Sequence, residues 1–175
     1  MLDDLTNLQA LLKDSTLLAT RGYIAGEWCD GENGKTFPVF NPARGDVITD
    51  VADISRTQTA EAISIAEKAQ KLWAARPAKE RSNLLRNWYN LMMENQEDLA
   101  TILTAEQGKP IEEAKGEIAY GASFIEFFAE EAKRVYGETI PGHQSDKRIT
   151  VLKQPVGVAA SITPWNFPNA MITRK

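Results

Sequence analysis

Apolar residues change their spacing several times along this chain, and each change predicts a different element. Leu2, Leu5, Leu8, Leu11 and Leu12 recur at helical spacing, which predicts a short amphipathic helix or arm over residues 2–18. Residues 22–29 read as a strand, Asp30-Gly31-Glu32-Asn33-Gly34 as a turn cluster, and residues 36–40 as the returning strand of one hairpin. Asn41-Pro42 ends it, and residues 47–51 offer a further short strand. A helical block follows. Its first helix carries Ala62, Ile65, Ala66, Ala69, Leu72 and Trp73 as one apolar stripe, and Pro77 suits the first turn of the next. The second helix is expected to bury Leu84, Leu85, Trp88, Leu91 and Met92. The third runs from Gln96 to about Glu106 and stops at Gly108, a residue that tolerates the left-handed C-cap. The fourth starts at Pro110, places Ile111, Ala114, Ile118, Ile125, Phe128, Ala132 and Val135 on one face, and closes at Gly137.

Beyond the helices, residues 148–153 alternate as a half-exposed strand does, whereas residues 156–162 form a continuous run of small and apolar residues. Such a run predicts a strand covered on both faces. Strands, then helices, then strands again point to an α/β or α+β arrangement.

The densest chemical signal follows that last strand, in Pro164-Trp165-Asn166-Phe167-Pro168. Proline fixes φ and removes a backbone donor, so the two prolines stop the strand and stiffen the turn between them. A rigid turn at the carboxyl end of a strand is where α/β sheets place ligands. Asn166 could there offer its side-chain amide to a developing negative charge, the task of an oxyanion-hole donor. The same residues also fit a structural corner with a packed Trp and a turn Asn, and local features alone leave both readings open.

Composition narrows the class. Length (175 residues) suits one domain with a real core, and hydrophobic (43%) and charged (25%) fractions are those of a globular protein. A net charge of −4, with Lys and Arg dispersed, argues against a nucleic-acid or anionic-membrane partner, and no apolar stretch reaches the length of a membrane span. Asp3 and Asp4 stand where a signal peptide carries basic residues, and one cysteine, Cys29, excludes an internal disulfide. The expectation is a cytoplasmic protein.

The Pro164–Pro168 run and the Val-Gly-Val-Ala-Ala-Ser-Ile-Thr stretch before it resemble the segment of the aldehyde dehydrogenase superfamily that leads into its cofactor site. Gly26-Glu27-Trp28, Asn41-Pro42-Ala43-Arg44-Gly45, Glu106-Gln107-Gly108-Lys109-Pro110, Glu112-Glu113-Ala114, Gly116-Glu117, and Gly137 followed by Ile140-Pro141 occur in the family's order. The similarity covers about residues 21–175. Residues 90–94, 141–148 and 170–175 further resemble the succinate-semialdehyde dehydrogenase branch. The resemblance implies an α/β fold, the N-terminal part of the aldehyde dehydrogenase fold with an incomplete Rossmann-like cofactor domain. Residues 1–20 would be an arm, 21–137 the N-terminal part of the cofactor-binding domain, 138–155 oligomerisation strands, and 156–175 the strand and turn re-entering that domain.

What the resemblance implies about chemistry is oxidation of a semialdehyde with NAD(P)+. The family's cysteine thiolate attacks the aldehyde, hydride passes to a nicotinamide, and water activated by a carboxylate releases the acid, which splits one hard step into easier ones. Asn166 corresponds to the oxyanion-hole asparagine. Ile162, Thr163, Pro164 and Trp165 match the strand end that lines the cofactor cleft. Phe167 matches an aromatic of the substrate tunnel, and Lys175 a lysine in the proton path of hydrolysis. Arg174 is the expected specificity residue, its guanidinium fork binding the distal carboxylate of the substrate. The family's nucleophile and general base match nothing here. Cys29, beside Trp28 at a hairpin turn, has no base nearby in sequence and is expected to be a packing or exposed structural cysteine.

The chain is therefore expected to be an N-terminal fragment, a natural truncation or an expressed piece, inactive by itself. The full enzyme would be a homo-oligomer acting on a small semialdehyde. Glutarate semialdehyde is the alternative substrate, since one methylene is discriminated by only about 1–3 kcal/mol. A non-catalytic chain acting only in subunit association is the other alternative, and a standalone nucleotide-binding module a weaker one. Other residues get plainer expectations. His143 reads as part of a polar connection. Glu112, Glu113 and Glu117 read as a solvated helix face near a helix start, as do Glu126, Glu130 and Glu131 with Lys133 and Arg134. Phe124, Phe127 and Phe128 read by default as core. No metal-ligand cluster and no G-x-G-x-x-G run is found in the sequence.

Overall fold

A computed structural model describes residues 7–175. Leu2 and Leu5 of the expected N-terminal helix lie outside the described residues. The rest of it is a single turn, α1 (Leu8–Leu11), followed by a 3-10 turn at Ser15–Leu17. Leu8, Leu12 and Leu18 are nevertheless buried, together with Ala105. Asp98 fixes this arm from below, accepting hydrogen bonds from the backbone N–H groups of Lys13 (3.1 Å) and Asp14 (2.8 Å).

The first strands correct the expected hairpin. Residues 22–29 are not one strand but two, β1 (Gly22–Ile24) and β2 (Glu27–Cys29), paired antiparallel with Gly22 opposite Cys29. Ala25 and Gly26 both have positive φ (59° and 87°), as a tight two-residue hairpin turn requires. That reversal uses up the strand within itself. β3 (Thr36–Phe40) pairs instead with β4 (Val47–Ala52), with a register shift between Val39 and Phe40. Buried Asn41 turns the chain between them, its Oδ1 accepting from the N–H groups of Ala43 (2.9 Å) and Arg44 (3.3 Å).

The helical block matches the predicted spacing closely: α2 (Arg56–Ala75), α3 (Ala78–Glu94), α4 (Gln96–Gln107) and α5 (Ile111–Glu131). Ser55 and Gln58 form a capping box at the start of α2, and Gly108 (φ 81°) ends α4 in the left-handed conformation. α5 stops at Glu131, short of Gly137. It lies at the centre, against α3, α4 and a last short helix, α6 (Pro168–Thr173). Met92, Ala100, Leu103, Ala114, Ile118, Ala122 and Ile125 make the core between them.

Two of the predicted apolar faces are not buried. α2 has no buried residue, and Leu72 and Trp73 of its stripe are exposed, because no described element packs extensively along it. On α3 only Met92 of the five expected residues is buried, while Leu84, Trp88 and Leu91 are exposed. Phe128 and Val135 are exposed as well. On the charged side, Arg86 of α3 reaches across to Glu126 (2.5 Å) and Glu130 (2.7 Å) of α5, so those acids tie two helices instead of merely facing solvent.

β5 (Glu138–Pro141) and β6 (Arg148–Val151) form a third hairpin whose strands are exposed throughout, and His143 sits in its connection. Residues 156–162 form no strand and are exposed, with Val156 and Ile162 essentially fully so. This contradicts the expected covered strand. A strand needs a neighbour to take its hydrogen bonds, and the described sheets are three separate antiparallel hairpins, none of which adjoins it.

Candidate active-site turn and its two clefts

The Pro164–Pro168 run folds as a turn that enters α6 with Pro168 at the first helical position, where a missing N–H costs nothing. What holds this turn is an ion pair that the sequence reading did not foresee, since it placed Glu117 on a solvated face. Glu117, in the second turn of α5, has a side chain only 1% exposed and is ion-paired to Lys109 at 2.5 Å. Its Oε1 accepts from the N–H groups of Asn169 (3.0 Å) and Ala170 (3.3 Å), the first free donors of α6. Lys109 Nζ also donates to the backbone carbonyl of Asn166 (2.9 Å) and stands 4.0 Å above the centre of the Phe167 ring.

Glu117 is thus not part of a solvated face. Its position within the stripe Ala114–Ile118–Gly121–Ala122–Ile125 was the available signal, since an acid there must be paired when the stripe is buried.

The expected site residues divide between two clefts on the α5–α6 surface. An open cleft of about 490 Å³ is lined by Gln107, Lys109, Gly116, Tyr120, Trp165 and Asn166, with Phe167 at its wall. The Asn166 side chain is exposed and makes no hydrogen bond among the described residues, so its amide is available to a ligand. The second cleft, about 480 Å³, is lined by Ser123, Phe124, Phe127, Phe128 and Arg174. Phe127 and Phe128 are exposed there, which corrects their default assignment to the core, and the Arg174 guanidinium lies 5.8 Å from the Phe124 ring centre. Tyr120 and Phe124 touch edge to face at 4.7 Å, so the aromatic wall runs from one cleft to the other. Phe167 and Arg174, both expected at the substrate, line different clefts. Lys175 lines neither and is exposed.

Ile162, Pro164 and Trp165 are exposed, Ile162 99% and Trp165 79% accessible, and Thr163 is half-buried. Of these four residues only Trp165 lines the first cleft. Cys29 is engaged elsewhere. Its Sγ donates to the Gly22 carbonyl (3.4 Å) within the first hairpin, the packing role expected of it. Among the described residues no group of His, Cys, Asp and Glu is gathered as a metal ion needs, and no helix is long and apolar enough to cross a membrane.

The chain is 62% identical over 164 residues to the glutarate-semialdehyde dehydrogenase of Pseudomonas putida, and 59% identical to the NADP+-dependent succinate-semialdehyde dehydrogenase of Escherichia coli. Each match covers 94% of this chain and 34% of the relative, so the chain spans about a third of the length of those proteins. A crystal structure of an E. coli NADP-dependent enzyme superposes with a TM-score of 0.92 at 59% identity, over 94% of this chain and 34% of that one. The fold is therefore that of the N-terminal region of these enzymes, mixed helix and strand. The model of the aldehyde dehydrogenase family matches residues 28–175, and the chain belongs to that family.

Proposed function

We propose that these residues are the N-terminal third of an NAD(P)+-dependent semialdehyde dehydrogenase that oxidises succinate semialdehyde to succinate. The observation that carries the reading is Arg174 at the edge of an aromatic cleft made by Phe124, Phe127 and Phe128. A cation beside apolar walls suits a short carbon chain ending in a carboxylate, and charged hydrogen bonds to such a group contribute about 1.5–3 kcal/mol. The names of the succinate- and glutarate-semialdehyde dehydrogenases to which the chain is similar support the same substrate class. The longer glutarate semialdehyde differs by one methylene and is the alternative substrate.

In this reading Asn166 donates its side-chain amide to the oxyanion that forms when the aldehyde is attacked. Phe167 borders the substrate path, and Lys175 serves the proton path of hydrolysis. Ile162, Thr163, Pro164 and Trp165 hold one side of NAD(P)+, which when bound supplies the hydride acceptor. Residues 21–137 and 156–175 belong to the cofactor-binding domain, and the exposed hairpin within residues 138–155 joins subunits of a cytoplasmic homo-oligomer. The 175-residue chain alone is expected to have no turnover, since Cys29, its one cysteine, lies in the first hairpin and lines neither cleft.

The test is a chimera joining this chain to the downstream two-thirds of the E. coli relative. It is expected to oxidise succinate semialdehyde, with Arg174→Ala raising KM for that substrate by about 10–100-fold and sparing an uncharged aldehyde of equal length. Loss in equal measure for both aldehydes would remove the role of Arg174. A folded chimera that oxidises neither would overturn the whole reading. A second reading, association without catalysis, is favoured by the uncovered residues 156–162 and the exposed β5–β6 hairpin. Sedimentation of the chain as a clean monomer would dispose of it.

A further inference from the structure

We propose that Lys109 and Glu117 are positioning residues that aim the Asn166 amide, a role that rests on the dehydrogenase reading above. The Asn166 side chain has no partner of its own among the described residues, so its direction follows from its backbone. That backbone is held at its carbonyl by Lys109 Nζ at 2.9 Å, and Lys109 is held in turn by Glu117 at 2.5 Å. The other Glu117 oxygen takes the Asn169 and Ala170 N–H groups, and Phe167 lies beneath the ammonium. One ion pair therefore binds the turn on both sides of Pro168.

The pair is costly to bury, with side chains 9% and 1% exposed, and an apolar pair of the same volume would fill the space as well. What an apolar pair lacks is direction: it cannot fix a carbonyl and two amides at hydrogen-bond distance. A reacting amide must stand within fractions of an ångström of its target, and that precision comes from the groups behind it. The Lys109 side chain belongs to the same cleft as Asn166, so the support stands directly against the amide it serves.

The experiment compares three forms. Lys109→Met/Glu117→Gln removes both charges together and leaves no carboxylate stranded, Lys109→Arg keeps the cation, and Asn166→Ala removes the amide itself. In the 175-residue chain, amide spectra of the double variant should show the Asn166 side-chain and Trp165 indole signals displaced. Exchange at Asn169 and Ala170 should quicken by about tenfold or more while Ala100 and Ile118 stay protected. In the chimera, the double variant should lower kcat by about 10–100-fold with KM little changed, and Lys109→Arg should recover most of the loss.

Unmoved Asn166 and Trp165 signals, or a kcat equal to the parent's, would overturn the proposal. If Asn166→Ala leaves kcat intact, the oxyanion reading falls, and the spectra still report whether the pair holds the turn. If Asn166→Ala lowers kcat and the double variant does not, the positioning role alone falls.

Discussion

Gly121 of α5 and Asn169 of α6 pass so closely that a β-carbon on the glycine would lie 2.0 Å from Asn169 Oδ1. The obstacle is the side chain of a partly buried residue, with the Thr173 hydroxyl 3.2 Å away on the same side, so there is little room to yield. Gly121→Ala should therefore push α6 off α5 and destabilise the chain by about 1–3 kcal/mol, although alanine favours helices. Thermal denaturation checks this. A melting temperature equal to or above that of the parent would mean that α6 does not sit against this glycine.

Removing one partner of the Lys109–Glu117 pair leaves the other buried and unpaired. Lys109→Ala and Glu117→Ala are each expected to cost about 3–5 kcal/mol in urea unfolding, with the double substitution costing clearly less than their sum. Additive losses would mean that the charges do not interact.

Ala25 sits at φ 59°, a conformation that costs a residue with a β-carbon about 1–2 kcal/mol. Asparagine tolerates it better, and Asn-Gly is the favoured pair for such a turn. Ala25→Asn should stabilise the chain by about 0.5–1 kcal/mol in the same urea assay. No gain would indicate that the first hairpin opens before the rest unfolds.

Acid should loosen the bond between α3 and α5. The Lys133 ammonium, and after it the Arg86 guanidinium, hold the Glu130 carboxyl below its ordinary value of 4.5. A carboxyl whose folded value is depressed contributes stability in full above its unfolded value and loses it as pH falls through the folded one. The urea midpoint should thus fall on acidification below about pH 4.5, and Arg86→Met with Lys133→Met should shallow that slope. Because Glu130 is solvent-facing, added salt should mute the effect as well.

The elements that were legible in the sequence are those whose cause is local. Gly108 ended α4 because only a residue at ease with positive φ can cap there, and the spacing of Ala114, Ile118 and Ile125 marked the buried face of α5. Asn166 and Arg174 were found through motif resemblance, and the structure places each in a cleft. What failed depends on distant partners. The strand expected at residues 156–162 was inferred from apolar content, but pairing comes from a neighbour that no described hairpin provides. The β1–β2 turn was missed because Ala25 is an unusual residue for positive φ. Glu117 was misassigned because its partners lie 8, 52 and 53 residues away: the buried stripe signals that it must be paired, but no local rule names the partner.

The contacts that hold α6 set when the site can exist. Its free N–H groups are satisfied by a carboxylate more than fifty residues earlier in the chain, on a helix that must already be packed to present it. The three hairpins and the α3–α4–α5 core close over shorter spans. Assembly is therefore expected to run from scaffold to turn, with the segment carrying Asn166 docking last in folding and letting go first when the chain begins to open.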